Sequence, residues 1–255
     1  MEDKDKDRIQ REGRKPGPLK RGLLLAALAA VLAVPAALHF SHPHSTASAT
    51  DGAKRAPSSR HVLGELGSEP ASADVRRMAN WVADSHDNGT KSFVILDKTG
   101  AKIFLFAPDA KLQAAAPALL GAAHGDDTVP GIGDKPLKDI QFEERTTPAG
   151  RFVAEVGESS SRREDVVWVD YVAAVSMHRI IKLPERLQAL ATPQVDDNRM
   201  SYGCINLPDA FYEKALRPAA DKTGVIVYIL PETRPLEQTF ASFYDVTAPT
   251  KVAQH

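Results

Sequence analysis

The chain has 255 residues, 43% of them hydrophobic and 25% charged, enough apolar material to bury the core of one ordinary domain with segments left over. Thirty-two Lys and Arg residues stand against thirty-three Asp and Glu, for a formal net charge of −1, and no basic block is interleaved with aromatics, which argues against nucleic acid as a partner. A single cysteine, Cys204, excludes an intramolecular disulfide framework.

Residues 1–22 form a charged segment ending in Lys20-Arg21, and from Leu23 to Leu38 the chain is almost wholly Leu, Ala and Val. Residues 23–40 read as a signal peptide or a membrane anchor, and Ala47-Ser48-Ala49 has the small-x-small pattern of a cleavage site. Lys and Arg ahead of the apolar run predict a cytoplasmic N-terminus and a domain in the periplasm or cell envelope, touching the membrane only through this segment. Residues 41–71, rich in Ser, Ala, His, Pro and Gly, read as a flexible linker.

A leading helix is expected in residues 72–89, from the helical spacing of Val75, Met78, Ala79 and Val82 after the N-cap candidate Ser72. A hairpin follows, Phe93–Leu96 and Ile103–Phe106 around Asp97-Lys98-Thr99-Gly100. The stretch from His124 to Asp139 reads as a long loop. Thr147–Val153 enters a strand, with more strands at Val166–Val169, Ala173–Met177 and Val225–Leu230. Short helices are expected at Pro184–Leu190 and Pro208–Leu216. The domain of residues 90–232 is thus mainly β with a few short helices, and residues 233–255 read as a loosely held tail. Trp81 and Trp168 are expected as core anchors.

In an oxidising compartment a lone cysteine is either buried and inert or exposed and reactive. Cys204 lies between irregular sequence and a helix expected to start near Leu207-Pro208, where a helix N-terminus would favour a thiolate. Gly203 permits the sharp turn on which nucleophiles are presented, and the nearby N–H groups could serve an oxyanion. A base is needed within reach, and His86, His124 and His178 are the histidines of the expected fold. His178 is the best placed, closing a strand 26 positions before the cysteine (204 − 178).

The order of hairpin, Thr147-Pro148-Ala149-Gly150-Arg151-Phe152, Met177-His178 and Ser201-Tyr202-Gly203-Cys204-Ile205-Asn206 resembles the L,D-transpeptidase catalytic domain, the YkuD family, over roughly Ser92 to Glu232. Family members carry a Thr-Pro-x-Gly turn, a histidine after a strand, and Ser/Thr-His-Gly-Cys followed by a hydrophobic residue and Asn or Arg. The resemblance implies an L,D-transpeptidase-type β-sandwich and a cysteine that attacks the L-to-D bond of the peptidoglycan tetrapeptide stem. The attack expels D-Ala, and an amine then takes the acyl group, without metal or cofactor. It implies Cys204 as nucleophile and His178 as general base and acid. The Arg179 carbonyl would orient the ring, and the amides of Tyr202, Gly203 and Cys204 would line the oxyanion hole. The chain departs from the pattern at Tyr202, where the family has histidine, and in a longer segment between His178 and Ser201, where Leu183–Pro193 would form a lid.

Arg179 and Arg199 are candidates for stem-peptide carboxylates, against the plainer expectation of two solvated arginines. Ser201 is expected to brace the turn and Asn206 the start of the following helix. His124 with Asp126 and Asp127 is expected to be a solvated loop, not a metal site. Peptidoglycan stem peptides are the expected partner and a monomer the expected state. The same Cys/His dyad would serve a carboxypeptidase or an amidase, and Tyr202 leaves room for a catalytically silent wall-binding domain.

Overall fold

The computed structural model describes residues 61–159, 163–221 and 223–248. The charged N-terminal segment, residues 23–40 and most of the expected linker lie outside them. Among the described residues no helix is long and apolar enough to cross a membrane.

Helix α1 spans Ala73–Ser85; the Ser72 hydroxyl accepts from the Val75 amide at 3.3 Å, and His86 closes the helix in the left-handed conformation. Its buried stripe, Val75, Met78, Ala79 and Val82, packs on the sheet. Among the described residues ten strands follow, mixed with short helices: β1 (Phe93–Asp97), β2 (Lys102–Phe106), β3 (Leu112–Pro117), β4 (Leu120–Gly121), β5 (Gly150–Ser159), β6 (Glu164–Asp170), β7 (Val175–Arg179), β8 (Arg199–Ser201), β9 (Ile205–Leu207) and β10 (Val225–Ile229). Eight form one sheet in the order β3-β2-β1-β10-β5-β6-β7-β9, while β4 and β8 pair separately and in parallel.

Strand β5 joins the two halves of that sheet. Gly150–Ala154 pair with β10, and Glu155–Ser159 pair with β6. One core cluster takes Val94, Leu96, Ile103 and Leu105 from one half and Val167, Val175, Met177 and Ile205 from the other, so the sheet folds over onto itself as a sandwich. Strands β1 and β10 are buried on both faces, their alternate residues meeting that core and a second one under α1. Each fully buried aliphatic or aromatic side chain there contributes about 1.5–3 kcal/mol.

Two segments differ from the sequence expectation, and a third, the expected long loop, gains short turns. Residues 61–71 belong to the folded unit, since Glu65 bridges to Lys111 and Leu66 is buried. The tail is structured through Val246: Leu236, Phe240, Phe243 and Val246 join the core under α1, and the Trp81 indole donates to the Ser242 carbonyl at 3.1 Å. These apolar residues recur too irregularly for a period to show, because a wrapping segment and not one amphipathic element carries them. The stretch after His124 contains 3₁₀ turns at Ile132–Asp134 and Leu137–Asp139, which bury Ile132, Leu137 and Ile140 in the first core. Trp81 and Trp168 are both buried.

Candidate functional site

Strands β7 and β9 run parallel, with Met177 opposite Ile205 and His178 opposite Asn206. Met177 and Ile205 point into the core, so alternation turns Ser176, His178, Cys204 and Asn206 to the other face. Cys204 sits just ahead of β9, half-buried, with its thiol donating to the Ala174 carbonyl at 3.5 Å and the Ser176 hydroxyl 3.8 Å from the sulfur. His178 is 4% exposed, and its Nδ1–H donates to the Arg179 carbonyl at 2.7 Å. A carbonyl can only accept, so this bond puts the proton on Nδ1 and leaves the lone pair on Nε2.

The turn carrying the thiol is closed from within and braced from below. The Ser201 hydroxyl donates to the Cys204 carbonyl at 2.6 Å and accepts from the Gly203 amide at 3.1 Å. Gly203 holds φ = 120°, and a Cβ there would stand 2.7 Å from the Thr146 carbonyl oxygen, so only glycine fits. The Thr147 hydroxyl donates to the Gly203 carbonyl at 2.9 Å and accepts from the Gly121 amide at 2.9 Å. Gly121 is itself confined, because an added Cβ would lie 2.2 Å from the Arg145 carbonyl oxygen. Lys98 reaches the same segment, donating to the Thr147 carbonyl at 3.0 Å and the Gly125 carbonyl at 2.6 Å.

Beneath lies a buried ionic cluster. The Lys98 ammonium is 2.7 Å from Asp126 and 3.5 Å from Glu232, and Arg199 pairs with Glu232. Burial alone would raise the Asp126 pKa, but the Lys98 ammonium, the Thr233 hydroxyl and the amides of Glu232 and Thr233 together outweigh it and hold the carboxylate well below its usual range. Glu232 is likewise lowered: burial opposes the shift, and the Gly125 amide, His124, Lys98 and Arg199 prevail. The segment expected as a solvated loop is therefore partly interior, with Asp126 as its anchor and His124 exposed at its rim. No three His, Cys, Asp or Glu side chains converge as a metal site among the described residues.

Other sequence candidates occupy places that differ from expectation. A strand, β9, intervenes between Cys204 and the helical segment α3 (Asp209–Phe211), so the sulfur is not at a helix N-terminus. Asn206 does not brace that helix; its side-chain Oδ1 accepts from Arg186 at 2.7 Å, and its side-chain Nδ2 donates to the Cys204 carbonyl at 3.4 Å. Arg186 belongs to α2 (Pro184–Ala191), the helix in the longer segment, which keeps Leu183 and Leu187 exposed. Arg179 pairs with Asp165 at 2.9 Å and with Glu213, which raises its pKa, and its side chain is 21% exposed. The Arg199 side chain is 5% exposed and committed to Glu232 and the Lys98 carbonyl. Neither guanidinium presents an unmet charge to a ligand, in contrast to the carboxylate-binding expectation. The Gly203 amide, given to Ser201, is not directed at an oxyanion.

No local signal in the sequence gives Thr147, Lys98 or Arg145 a role at the site, and Asp126 reads only as part of a solvated loop. Thr147 stands in the Thr-Pro-x-Gly turn, and its bracing role lies in a hydroxyl whose partners, Gly121 and Gly203, are 26 and 56 positions away. Lys98 in a predicted hairpin turn reads as solvated, and Arg145 carries no motif at all.

No family model matches the chain, and none of the curated proteins does. Among solved structures it is similar to an L,D-transpeptidase of Enterococcus faecium, at 17% identity and a TM-score of 0.33 over 55% of this chain and 50% of that one. The catalytic domain from the E. faecium L,D-transpeptidase is 17% identical, with a TM-score of 0.35 over 57% of this chain and 99% of that one. The helical cell shape determining protein of Campylobacter jejuni is 14% identical, with a TM-score of 0.41 over 61% of this chain and 55% of that one. The chain thus spans about half the length of the first and third of these.

Proposed function

We propose that the protein is a peptidoglycan-modifying cysteine acyltransferase, an L,D-transpeptidase acting in the cell envelope on tetrapeptide stems. The observation that carries this is the placement of His178 on β7 and of Cys204 at the entry to the adjoining parallel strand β9, with the imidazole tautomer fixed by the Arg179 carbonyl. The order of motifs in the sequence supports the same assignment.

In this mechanism the Cys204 thiol leaves the Ala174 carbonyl and gives its proton to Nε2 of His178. The thiolate adds to the carbonyl of the L-to-D bond, and the amides of Cys204 and Tyr202 receive the negative oxygen. Collapse breaks the C–N bond, with the imidazolium giving its proton to the departing D-Ala amine and a thioester left on Cys204. His178 then takes a proton from an incoming amine, which attacks the thioester, and the thiol is restored as the new amide forms. The Arg179 carbonyl holds the ring in place and stabilises the imidazolium in both halves. Tyr202 takes no proton in this scheme; its ring packs against the core and under the Arg145 guanidinium.

The test is to incubate the full-length protein with disaccharide-tetrapeptide and identify products by mass spectrometry, beside Cys204→Ala and His178→Ala. A cross-linked dimer lacking one D-Ala, absent from both variants, is expected. Tripeptide with free D-Ala and no dimer would replace the transferase by a carboxypeptidase. No product from the wild-type chain, with or without an added amine, would refute the enzyme.

A further inference from the structure

We infer that Arg145, held over the Tyr202 ring, binds a free carboxylate of the peptide on which Cys204 acts; this rests on the reaction proposed above. The arginines nominated from sequence, Arg179 and Arg199, are neutralised by Asp165, Glu213 and Glu232. Arg145 is in the opposite situation. Among the described residues its guanidinium meets no carboxylate; Nη2 donates to the Ile140 carbonyl at 3.2 Å, and Nε is buried without a hydrogen-bond partner. Arg199 also has a buried, unbonded Nε, but its charge is answered by Glu232.

Position ties this unmet charge to the nucleophile. The guanidinium carbon lies 4.2 Å from the centroid of the Tyr202 ring, and Tyr202 is two residues from Cys204. The Arg145 backbone is fixed as well. Its carbonyl accepts from the Ala123 amide at 3.1 Å, and two residues on Thr147 bonds the Gly203 carbonyl. Arg145 therefore moves with the catalytic turn.

Chemistry favours an anion with two oxygens. An aromatic ring under the flat face of a guanidinium holds the plane in place and leaves its in-plane N–H edge for hydrogen bonds, which a carboxylate accepts in pairs. A partly buried cation without a counter-charge is costly, and a ligand carboxylate relieves that cost on binding. Tyrosine at the position where the family pattern has histidine supplies an uncharged platform; an imidazolium there would repel the arginine. A stem peptide offers two sources of carboxylate, the leaving residue's terminus and a side chain of the acyl donor.

The experiment compares tetrapeptide acid with the peptide amidated at its terminus and the peptide amidated at its side-chain carboxyl, using wild type, Arg145→Gln and Arg145→Lys. The Gln variant should raise KM about 10- to 100-fold on the acid, and Lys should fall between, since it keeps charge without the fork. Amidation at the site Arg145 reads should weaken wild-type binding by the same factor and leave Arg145→Gln indifferent, which names the source. Iodoacetamide alkylation of Cys204 should be unchanged in Arg145→Gln, showing the turn intact. Losses that multiply for both amidations, or alkylation slowed as much as turnover, would overturn the inference. Calorimetry on Cys204→Ala, with and without Arg145→Gln, separates it from the reaction. An Arg145-dependent preference for the acid sustains the carboxylate site even if wild type forms no product, whereas equal binding of acid and both amides defeats it.

Discussion

The Thr147 hydroxyl bonds the Gly203 carbonyl at 2.9 Å while accepting from the Gly121 amide at 2.9 Å, so one buried side chain joins β4 to the turn that carries the thiol. Replacing it by the nearly isosteric valine leaves both backbone groups unpaired. Thr147→Val should lose about 2–4 kcal/mol of stability and slow alkylation of Cys204, while Thr147→Ser should stay near wild type. Urea unfolding and iodoacetamide kinetics measure the two effects.

Gly203→Ala places a methyl group 2.7 Å from the Thr146 carbonyl oxygen at a φ of 120° that side chains rarely adopt. The turn must shift, and with it Cys204. Activity should fall by at least about 100-fold, with a stability loss of roughly 1–3 kcal/mol or more, checked by product formation and thermal unfolding.

Lys98 and Asp126 both have fully buried side chains. Lys98→Met leaves Asp126 and Glu232 without their ammonium and should cost about 3–5 kcal/mol in chemical denaturation.

The same pair sets the acid response. Asp126 and Glu232 have folded pKa values below their unfolded ones of about 3.9 and 4.3, so below those values the unfolded chain binds more protons. Their contribution is present in full above about pH 5 and is lost as pH falls through the folded values. Urea midpoints should agree at pH 7 and pH 5 and drop at pH 3, with a smaller drop in Lys98→Met. Equal drops would place the acid sensitivity elsewhere.

The local elements of this molecule are legible in its sequence. Strands of β-branched and aromatic residues, the capped leading helix and the motif around Cys204 are local signals, each carried by a few adjacent residues. What the sequence hid is tertiary. Nothing near Lys98 announces that its ammonium lies 2.7 Å from a carboxylate 28 positions away. Arg199 suits a ligand by its place beside the motif, yet Glu232, 33 positions on, pairs with it. The tail beyond Pro231 packs Phe240 and Phe243 around Trp81 and Tyr228 by long-range contact, with no periodicity of its own.

That tail gives a further expectation. Ending the chain at Pro235 removes Leu236, Phe240, Phe243 and Val246 from the core under α1, at about 1.5–3 kcal/mol for each well-buried side chain. The shortened protein should lose the cooperative thermal transition of the full chain; an unchanged midpoint would show that these contacts carry no stability.

The central claim is that Cys204 takes the acyl group with His178 as its proton acceptor. Intact-mass measurement of the full-length protein shortly after mixing with tetrapeptide, without acceptor, tests it most directly. An adduct equal to the peptide less D-Ala, mapped to Cys204, absent in Cys204→Ala and reduced at least about 100-fold in rate in His178→Ala, is the predicted result. An unmodified wild-type protein, or an adduct that forms as fast without His178, would contradict it.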